Sequence, residues 1–490
     1  MKVTDKASRV GLTFDDVLLV PKFSSISTRK DVDTGTRFSR RIRLAIPIVS
    51  ANMDTVTESN MAISIARLGG IGVIHRFMTV EREVAEVARV KRSEGVMIED
   101  PITLPPNRTV KEALEVIRRK QIGGIPIVDG HHRLVGIITR RDMALEDDTS
   151  QRISELMTPR KDLVTAPGGV SMEKAKELLR KNKIEKLPLI DRNDRLVGLI
   201  TAKDIQKRRQ FPQATKDGKG RLCVAAAVGV RGDYVQRAGR LLAAGADALV
   251  VDIAHGHSEN AISTLKWIKK DFGDVEVVAG NVATAAGARD LVRAGADGVK
   301  VGVGSGSICV TRLVSGFGVP QLTAIMDSAA YASEAEVPII GDGGIRHPGD
   351  VTKALAAGAS TVMIGSLFAG TEESPGPTVL RRGVRYKLTR GMASLTATLG
   401  RRIRESPSPE ADESELEEIV EESVPEGVEG LIPYKGDLGE VVKQLVGGLR
   451  SGMSYCGARN IGELRKKAEF IRMTEPGRTE SGPHDIERLV

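Results

Sequence analysis

Apolar residues along this chain fall in short unbroken runs rather than in strict alternation with polar ones. Small and β-branched residues fill AIPIVSAN (45–52), GGIGVIH (69–75), LCVAAAVG (222–229), ADALVVDIAH (246–255), DVEVVAGNV (274–282), ADGVKVGVGS (296–305), VPIIGDGG (337–344) and STVMIGS (360–366). A strand that is apolar at successive positions has both faces buried, as in a parallel sheet. Between most of the runs lie Ala-rich amphipathic stretches such as YVQRAGRLLAAGA and AAGARDLVRAGA, each closing on a glycine suited to a helix C-cap. Eight strands alternating with helices predict an α/β fold, a (β/α)8 TIM barrel. Reactive residues are then expected just past the C-terminal ends of the strands.

The alternation breaks between about residues 93 and 218. Inside that gap the chain repeats itself, as GIPIVDGHHRLVGIITRRDM (124–143) and KLPLIDRNDRLVGLITAKDI (186–205). Each copy reads as helix, strand, turn, strand, and two copies of one small unit complete a core by packing together. The expected organisation is therefore an N-terminal part of the barrel (1–92), an inserted pair (93–218, repeats about 98–146 and 156–206), and the rest of the barrel (219–490). The pair resembles the cystathionine-β-synthase-type (CBS) module, which in other proteins binds adenine or guanine nucleotides. Such an effector is one expectation for it, and a purely structural insertion is the other. Residues 401–423, RRIRESPSPEADESELEEIVEES, combine prolines, serines and acids, which leaves little to bury. After the eighth strand they would lie over the barrel mouth, and a mobile lid is expected.

Composition narrows the setting. Three cysteines, Cys223, Cys309 and Cys456, make no disulfide framework and show no metal-ligand spacing, which points to a reducing, cytoplasmic compartment. No run approaches the roughly 18 apolar residues of a membrane span. The net charge is +8, but only 3% of residues are aromatic and the bases are interspersed with acids. That balance favours small anionic ligands over nucleic acid or a membrane surface.

The chemistry concentrates in GSGSICVTR, Gly304 to Arg312. A cysteine among glycines and serines, closely following the sixth strand, stands where a barrel keeps its reactive groups. GDGGIRHPGD (341–350) and MIGS (363–366) end the seventh and eighth strands, the usual place for a phosphate held by backbone N–H groups at helix starts. Asp342 can accept hydrogen bonds from the vicinal hydroxyls of a ribose. A phosphate, a ribose acceptor and a thiol in one mouth suggest a nucleotide attacked by Cys309.

GLTFDDVLLVP (11–21), SANMDTVTE (50–58), GSGSICVTR, GDGGI, RGMASL (390–395), PEGVEGLIPYKG (425–436) and ESGPHD (480–485) together resemble the IMP dehydrogenase/GMP reductase family over nearly the whole chain. The resemblance implies that Cys309 adds to C2 of a purine nucleotide and forms a covalent thioimidate. It implies phosphate contacts at Ser307, Gly344, Gly365 and Ser366, and a ribose contact at Asp342. Ser50, Met53, Asn281 and Met392 would border the base, and Asp252 the nicotinamide ribose. Carbonyls of Gly304, Gly306 and Cys309, with Glu480, Ser481 and Gly482 of a neighbouring subunit, match the family's monovalent-cation site, for an ion such as K+. A site shared in this way implies a homotetramer, or an octamer of two tetramers.

Two reactions share the thioimidate. The family's dehydrogenases pass hydride from IMP to NAD and hydrolyse the intermediate to XMP, with an Arg–Tyr pair on the lid as base. Its reductases expel ammonia from GMP and accept hydride from NADPH, giving IMP. Here no tyrosine falls between residues 387 and 433, and none of Arg401, Arg402 and Arg404 is followed by one. Thr389 stands where the dehydrogenases commonly carry a phosphate-contacting tyrosine. Thr311 and Glu426 match a proton relay found in both branches of the family, the one that reductases use on the amino group. The sequence therefore favours an NADPH-dependent GMP reductase, nearest the CBS-containing trypanosomatid type, with Cys309, Thr311 and Glu426 as catalytic residues. The alternatives are an NAD-dependent IMP dehydrogenase and a nucleotide sensor without turnover. The intact Cys309, Thr311 and Glu426 count against the sensor.

Overall fold

Eight parallel strands close on themselves: β1 (Ile48–Ser50), β2 (Ile71–Ile74), β3 (Ala225–Val228), β4 (Ala248–Asp252), β5 (Glu276–Val282), β6 (Gly298–Val301), β7 (Ile339–Asp342) and β8 (Thr361–Ile364). Each lies inside one of the eight apolar runs, so the barrel is the one the hydrophobic pattern predicts. The computed structural model describes residues 9–482 other than 94–97, 99, 121, 145, 203–204, 206–209 and 406–423, with backbone only at 401–405. Most of the expected lid therefore lies outside the described residues. The helix Leu395–Glu405 leads up to it.

The unbroken apolar runs follow from two destinations for alternate side chains. Val49, Val73, Val250, Val278 and Ile340 pack around the barrel axis with Phe38 and Leu44. Ile48, Val251, Val277, Val299, Val301 and Val362 pack outward, against the helices. Burying each such side chain contributes roughly 1.5–3 kcal/mol, so both faces hold the closed sheet together. Two residues further along the inward-facing rows, the side chains change from apolar to polar. Val250 is followed by Asp252 and Ile340 by Asp342, each at the C-terminal end of its strand. On β6 the corresponding inward residue is Lys300. The upper layer of the barrel interior is thus charged where the lower one is apolar.

Two compact units make up the chain. The first takes in residues 1–93, 213–217 and 222–490, and the second 94–212 and 218–221. In the first, Lys91 Nζ reaches Asp217 Oδ2 (2.9 Å), Asp247 Oδ2 (2.8 Å) and the Leu222 carbonyl (3.0 Å). This pins the barrel chain on both sides of the point where the insertion leaves it. After β8, an antiparallel sheet of Thr378–Arg381, Val384–Arg390 and Glu429–Pro433 carries the segments that return to the barrel mouth.

The second unit is the tandem CBS module. Each copy sets a helix (Val110–Lys120, Met172–Lys181) before a two-stranded hairpin (Gly124–Val128 with Leu134–Thr139, Lys186–Ile190 with Leu196–Thr201). The repeat extends to single hydrogen bonds. Asp129 Oδ1 accepts from the His131 and Arg133 amides, and Asp191 Oδ1 accepts from those of Asn193 and Arg195, all at 2.8–2.9 Å. These Asx turns pre-form the hairpin corners. The two corners meet: Arg133 bridges Arg195, and Val128, Leu134 and Leu196 share one small core.

Candidate active site

Cys309 follows β6 in a loop held from three sides. Its amide donates to the Gly306 carbonyl (3.2 Å), it forms an isolated bridge with Gly427, and the Val428 amide donates to the Ile308 carbonyl (3.0 Å). Gly343 after β7 explains the glycine there: φ is +89°, and a Cβ would sit 2.6 Å from Ser305 Oγ. Only a bare backbone lets the β7 loop lie against the cysteine loop.

The thiol is the first member of a hydrogen-bonded chain. Cys309 Sγ donates to Thr311 Oγ1 (3.2 Å), and Thr311 Oγ1 donates to Glu426 Oε2 (2.7 Å). Glu426 is fixed by its backbone, since its carbonyl accepts from the Val310 amide (2.9 Å) and its amide donates to the Ala393 carbonyl (3.0 Å). A carboxylate at one end and a thiol at the other give a route for a proton through one hydroxyl. The sequence singled out these three residues, and the fold brings them together.

A second network forms the floor of the mouth. Lys300 Nζ donates to Asp252 Oδ1 (2.8 Å), Asp342 Oδ2 (3.1 Å) and Asn281 Oδ1. The Asn281 amide group donates to the Gly302 carbonyl (2.8 Å) and to Asp342 Oδ2 (2.9 Å). Burial works against a charge on Lys300, but Asp252 and Asp342 outweigh it and hold its pKa above the ordinary lysine value. Burial likewise opposes ionisation of Asp252, and Lys300, with Arg76 beyond it, keeps that carboxyl below the usual aspartate range. Asp252, Asn281 and Asp342 were expected from the sequence. Lys300 was not, although a lysine inside an apolar strand run is itself a signal, since buried lysines require partners.

Most of the remaining predicted residues lie in segments that follow the C-terminal ends of the strands, and Glu480, Ser481 and Gly482 lie apart, at the end of the chain's last described helix. Ser50 ends β1, buried, and its Oγ accepts from Thr57 Oγ1 (2.9 Å). Met53 lies beside Gly365, where a Cβ would come within 3.0 Å of its Sδ. Met392 Sδ accepts from the Asp54 amide (3.4 Å), and Arg390 Nε donates to Asp54 Oδ2 (2.8 Å). These two contacts join the RGMASL segment to the loop after β1. Thr389 is buried with its hydroxyl 3.4 Å from that of Thr55. Ser307 is exposed in the cysteine loop, Gly344 follows β7 with φ +81°, and Gly365 and Ser366 open the short helix after β8. The helix Pro348–Ala356 differs from the expected phosphate cradle. Asp350 Oδ2 already accepts from the Arg346 and His347 amides (2.9 Å each), so this helix start carries its own cap. Gly304 and Gly306 share the loop with Cys309. Glu480 ends the helix Glu475–Glu480, Ser481 caps it, and Gly482 follows.

A barrel that carries a hydrogen-bonded thiol after β6 and a buried charged cluster at the ends of its strands is the scaffold of an enzyme. The chain belongs to the IMP dehydrogenase / GMP reductase domain family, whose model matches residues 11–484, a family of nicotinamide-dependent oxidoreductases. It is 54% identical to an inosine-5'-monophosphate dehydrogenase of Nitrosopumilus maritimus, over 97% of this chain and 98% of that one. Against an inosine-5'-monophosphate dehydrogenase of Aquifex aeolicus it is 52% identical, over 99% and 98%. A GMP reductase of Trypanosoma brucei, solved with guanosine 5'-monophosphate, superposes with a TM-score of 0.93 at 44% identity, over 99% and 100%.

These figures correct the preference for a reductase. The trypanosomal enzyme has the same fold, but full-length relatives named as dehydrogenases are about ten points closer in sequence. The preference rested on a missing Arg–Tyr pair and on the Thr311–Glu426 relay. The first is a feature of one short segment, 401–423, most of which lies outside the described residues. The second serves proton transfer in either direction, so neither separates the branches.

Among the described residues, no helix is long and apolar enough to cross a membrane.

Proposed function

We propose that the chain is an NAD-dependent IMP dehydrogenase, oxidising IMP to XMP. The observation that carries the chemistry is the line from Cys309 Sγ through Thr311 Oγ1 to Glu426 Oε2. Identity above 50% to relatives of that name supports the direction.

In this reading Cys309 adds to C2 of IMP, its proton leaving along Thr311 toward Glu426. NAD, when bound, would supply the acceptor for the hydride at C2, and Cys309 would keep the oxidised base as a thioimidate. Once Glu426 has passed the thiol proton to solvent, water attacks C2 and gives a proton through Thr311 to Glu426, and the C–S bond breaks to release XMP and the thiolate. Because the lid has no Arg–Tyr pair, the Thr311–Glu426 relay is the base for water as well as for the thiol.

Asp342 accepts from the ribose hydroxyls of IMP, and Asp252 from the nicotinamide ribose. Ser307, Gly344, Gly365 and Ser366 hold the phosphate. Ser50, Met53, Asn281 and Met392 border the base. The carbonyls of Gly304, Gly306 and Cys309, with Glu480, Ser481 and Gly482 of the partner in a homotetramer, suit a hard monovalent cation such as K+. The CBS module takes a purine nucleotide effector, residues 401–423 serve as the lid, and the protein acts in the cytoplasm.

The test is absorbance at 340 nm with purified protein. NADH forming with IMP and NAD, with XMP recovered, is the expected result. Consumption of NADPH with GMP, and no reaction with IMP and NAD, would overturn the reading.

A further inference from the structure

Lys300 takes no part in the steps above, yet it is the centre of the charged floor. Its side chain is 3% exposed, and its three N–H donors meet three acceptors on three other strands or their ends: Asp252 on β4, Asn281 on β5 and Asp342 on β7. An ammonium has three donors and no acceptor, so nothing is left over for a ligand. The strand next to it makes room. A Cβ at Gly280 would lie 2.7 Å from the Lys300 Cβ and 2.5 Å from its carbonyl oxygen.

Lys300 also fixes its neighbours' orientation. As a pure donor it forces the Asn281 oxygen toward itself, which aims the Asn281 amide hydrogens at Gly302 and Asp342. Lys300 and Asn281 then both donate to Oδ2 of Asp342, so Oδ1 is the oxygen left for a ligand hydroxyl. Asp252 and Asp342 are each only about one-fifth exposed, at 18% and 21%. Two such carboxylates held on one ammonium repel each other once that cation is removed.

We propose that Lys300 is a positioning residue that locks Asp252 and Asp342 into one charge unit, so that the acceptor for the substrate ribose keeps its shape only while the acceptor on the cofactor side is neutralised. The identity of those two riboses rests on the dehydrogenase reading given above.

The experiment separates charge balance from packing. In Lys300→Met the two carboxylates face each other without the cation. The dissociation constant for IMP, measured by calorimetry without cofactor, should rise by about ten-fold or more, with a parallel rise in KM for IMP. Adding Asp252→Asn to that variant removes the repulsion and not the cavity. IMP affinity should then recover most of the loss, while KM for NAD stays raised because the ribose acceptor is weakened. Recovery of substrate binding by a change on the cofactor side is what a merely structural lysine would not give. If Lys300→Met does not fold, as judged by thermal melting, Lys300→Gln takes its place in both arms. Unchanged IMP affinity in the single variant, or no recovery in the double, would overturn the proposal. The calorimetric arm is run with IMP and with GMP and needs no turnover. A failure of the dehydrogenase assay in wild type is therefore read separately from a failure of the Lys300 coupling.

Discussion

Thr311 Oγ1 donates to Glu426 Oε2 at 2.7 Å, although 115 residues separate the two in the chain. The contact exists because the 424–428 segment runs beside the cysteine loop, exchanging backbone hydrogen bonds with Ile308 and Val310. A hydroxyl so placed can pass a proton between the space above Cys309 and a carboxylate behind it.

Cys309→Ala should abolish turnover while IMP still binds, because the nucleophile goes but the floor and the phosphate loops remain. Residual activity within about 100-fold of wild type would exclude the covalent route. Rapid-quench trapping of a nucleotide on the wild-type protein, and not on the variant, checks the same point from the other side.

The salt link between Arg390 and Asp54 predicts an asymmetry. Asp54 is nearly buried, its Oδ1 has no hydrogen-bond partner, and Arg390 donates twice to its Oδ2. Arg390→Met strands a buried carboxylate, at a cost on the order of 3 kcal/mol. Asp54→Asn leaves Arg390 partly in water and should cost less. Thermal melting of the two variants gives the order. The opposite order would mean that the ion pair is not what ties the RGMASL segment to the β1 loop.

Glu83 predicts a pH dependence of stability. Its side chain is fully buried beside Arg237, and burial pushes its pKa from 4.5 up to about 8 even against the guanidinium. The folded protein then keeps a proton that the unfolded chain releases. This contribution is complete below the unfolded value, declines as pH rises through that window, and is gone above the folded one. Glu83→Gln has no such proton. The melting temperature of the variant minus that of wild type should therefore be higher at pH 8.5 than at pH 5. A difference that is flat with pH would show Glu83 to be ionised throughout.

The barrel was legible because its strands are buried on both faces, and eight apolar runs are hard to produce in any other architecture. The repeat showed the inserted pair by self-similarity alone. Cys309, Thr311 and Glu426 were legible through ordered motifs, and the contact among them depended on the return of a distant segment. Lys300 was missed because it sits inside ADGVKVGVGS, where the eye takes the run as uniformly apolar. Its partners Asp252, Asn281 and Asp342 come from three separate runs, and only the closed barrel sets them around one ammonium. The direction of the reaction was misread. The 401–423 segment that suggested a reductase lies mostly outside the described residues, and the proton relay is symmetric between the two chemistries.

The last prediction bears on that relay. If Glu426 is the base for water, Glu426→Gln keeps a hydrogen bond to Thr311 and loses the ability to take the proton. Turnover of IMP should fall on the order of 10²–10⁴-fold, the usual cost of losing a general base. The thiol is far more acidic than water and can ionise without this base, so hydride transfer should suffer much less, and a burst of NADH close to one per active site should precede a slow steady state. Replacing Arg401, Arg402 and Arg404 together by lysine tests the competing location of the base. Lysine keeps the charge but not the guanidinium geometry, and with the base at Glu426 the triple variant should keep its steady-state rate within a few-fold. The two variants have opposite expectations under the two locations, and stopped-flow absorbance at 340 nm reads both phases in one trace. A collapsed steady state with an intact burst in the arginine variant, and near-normal turnover in Glu426→Gln, would move the base from the relay to the lid.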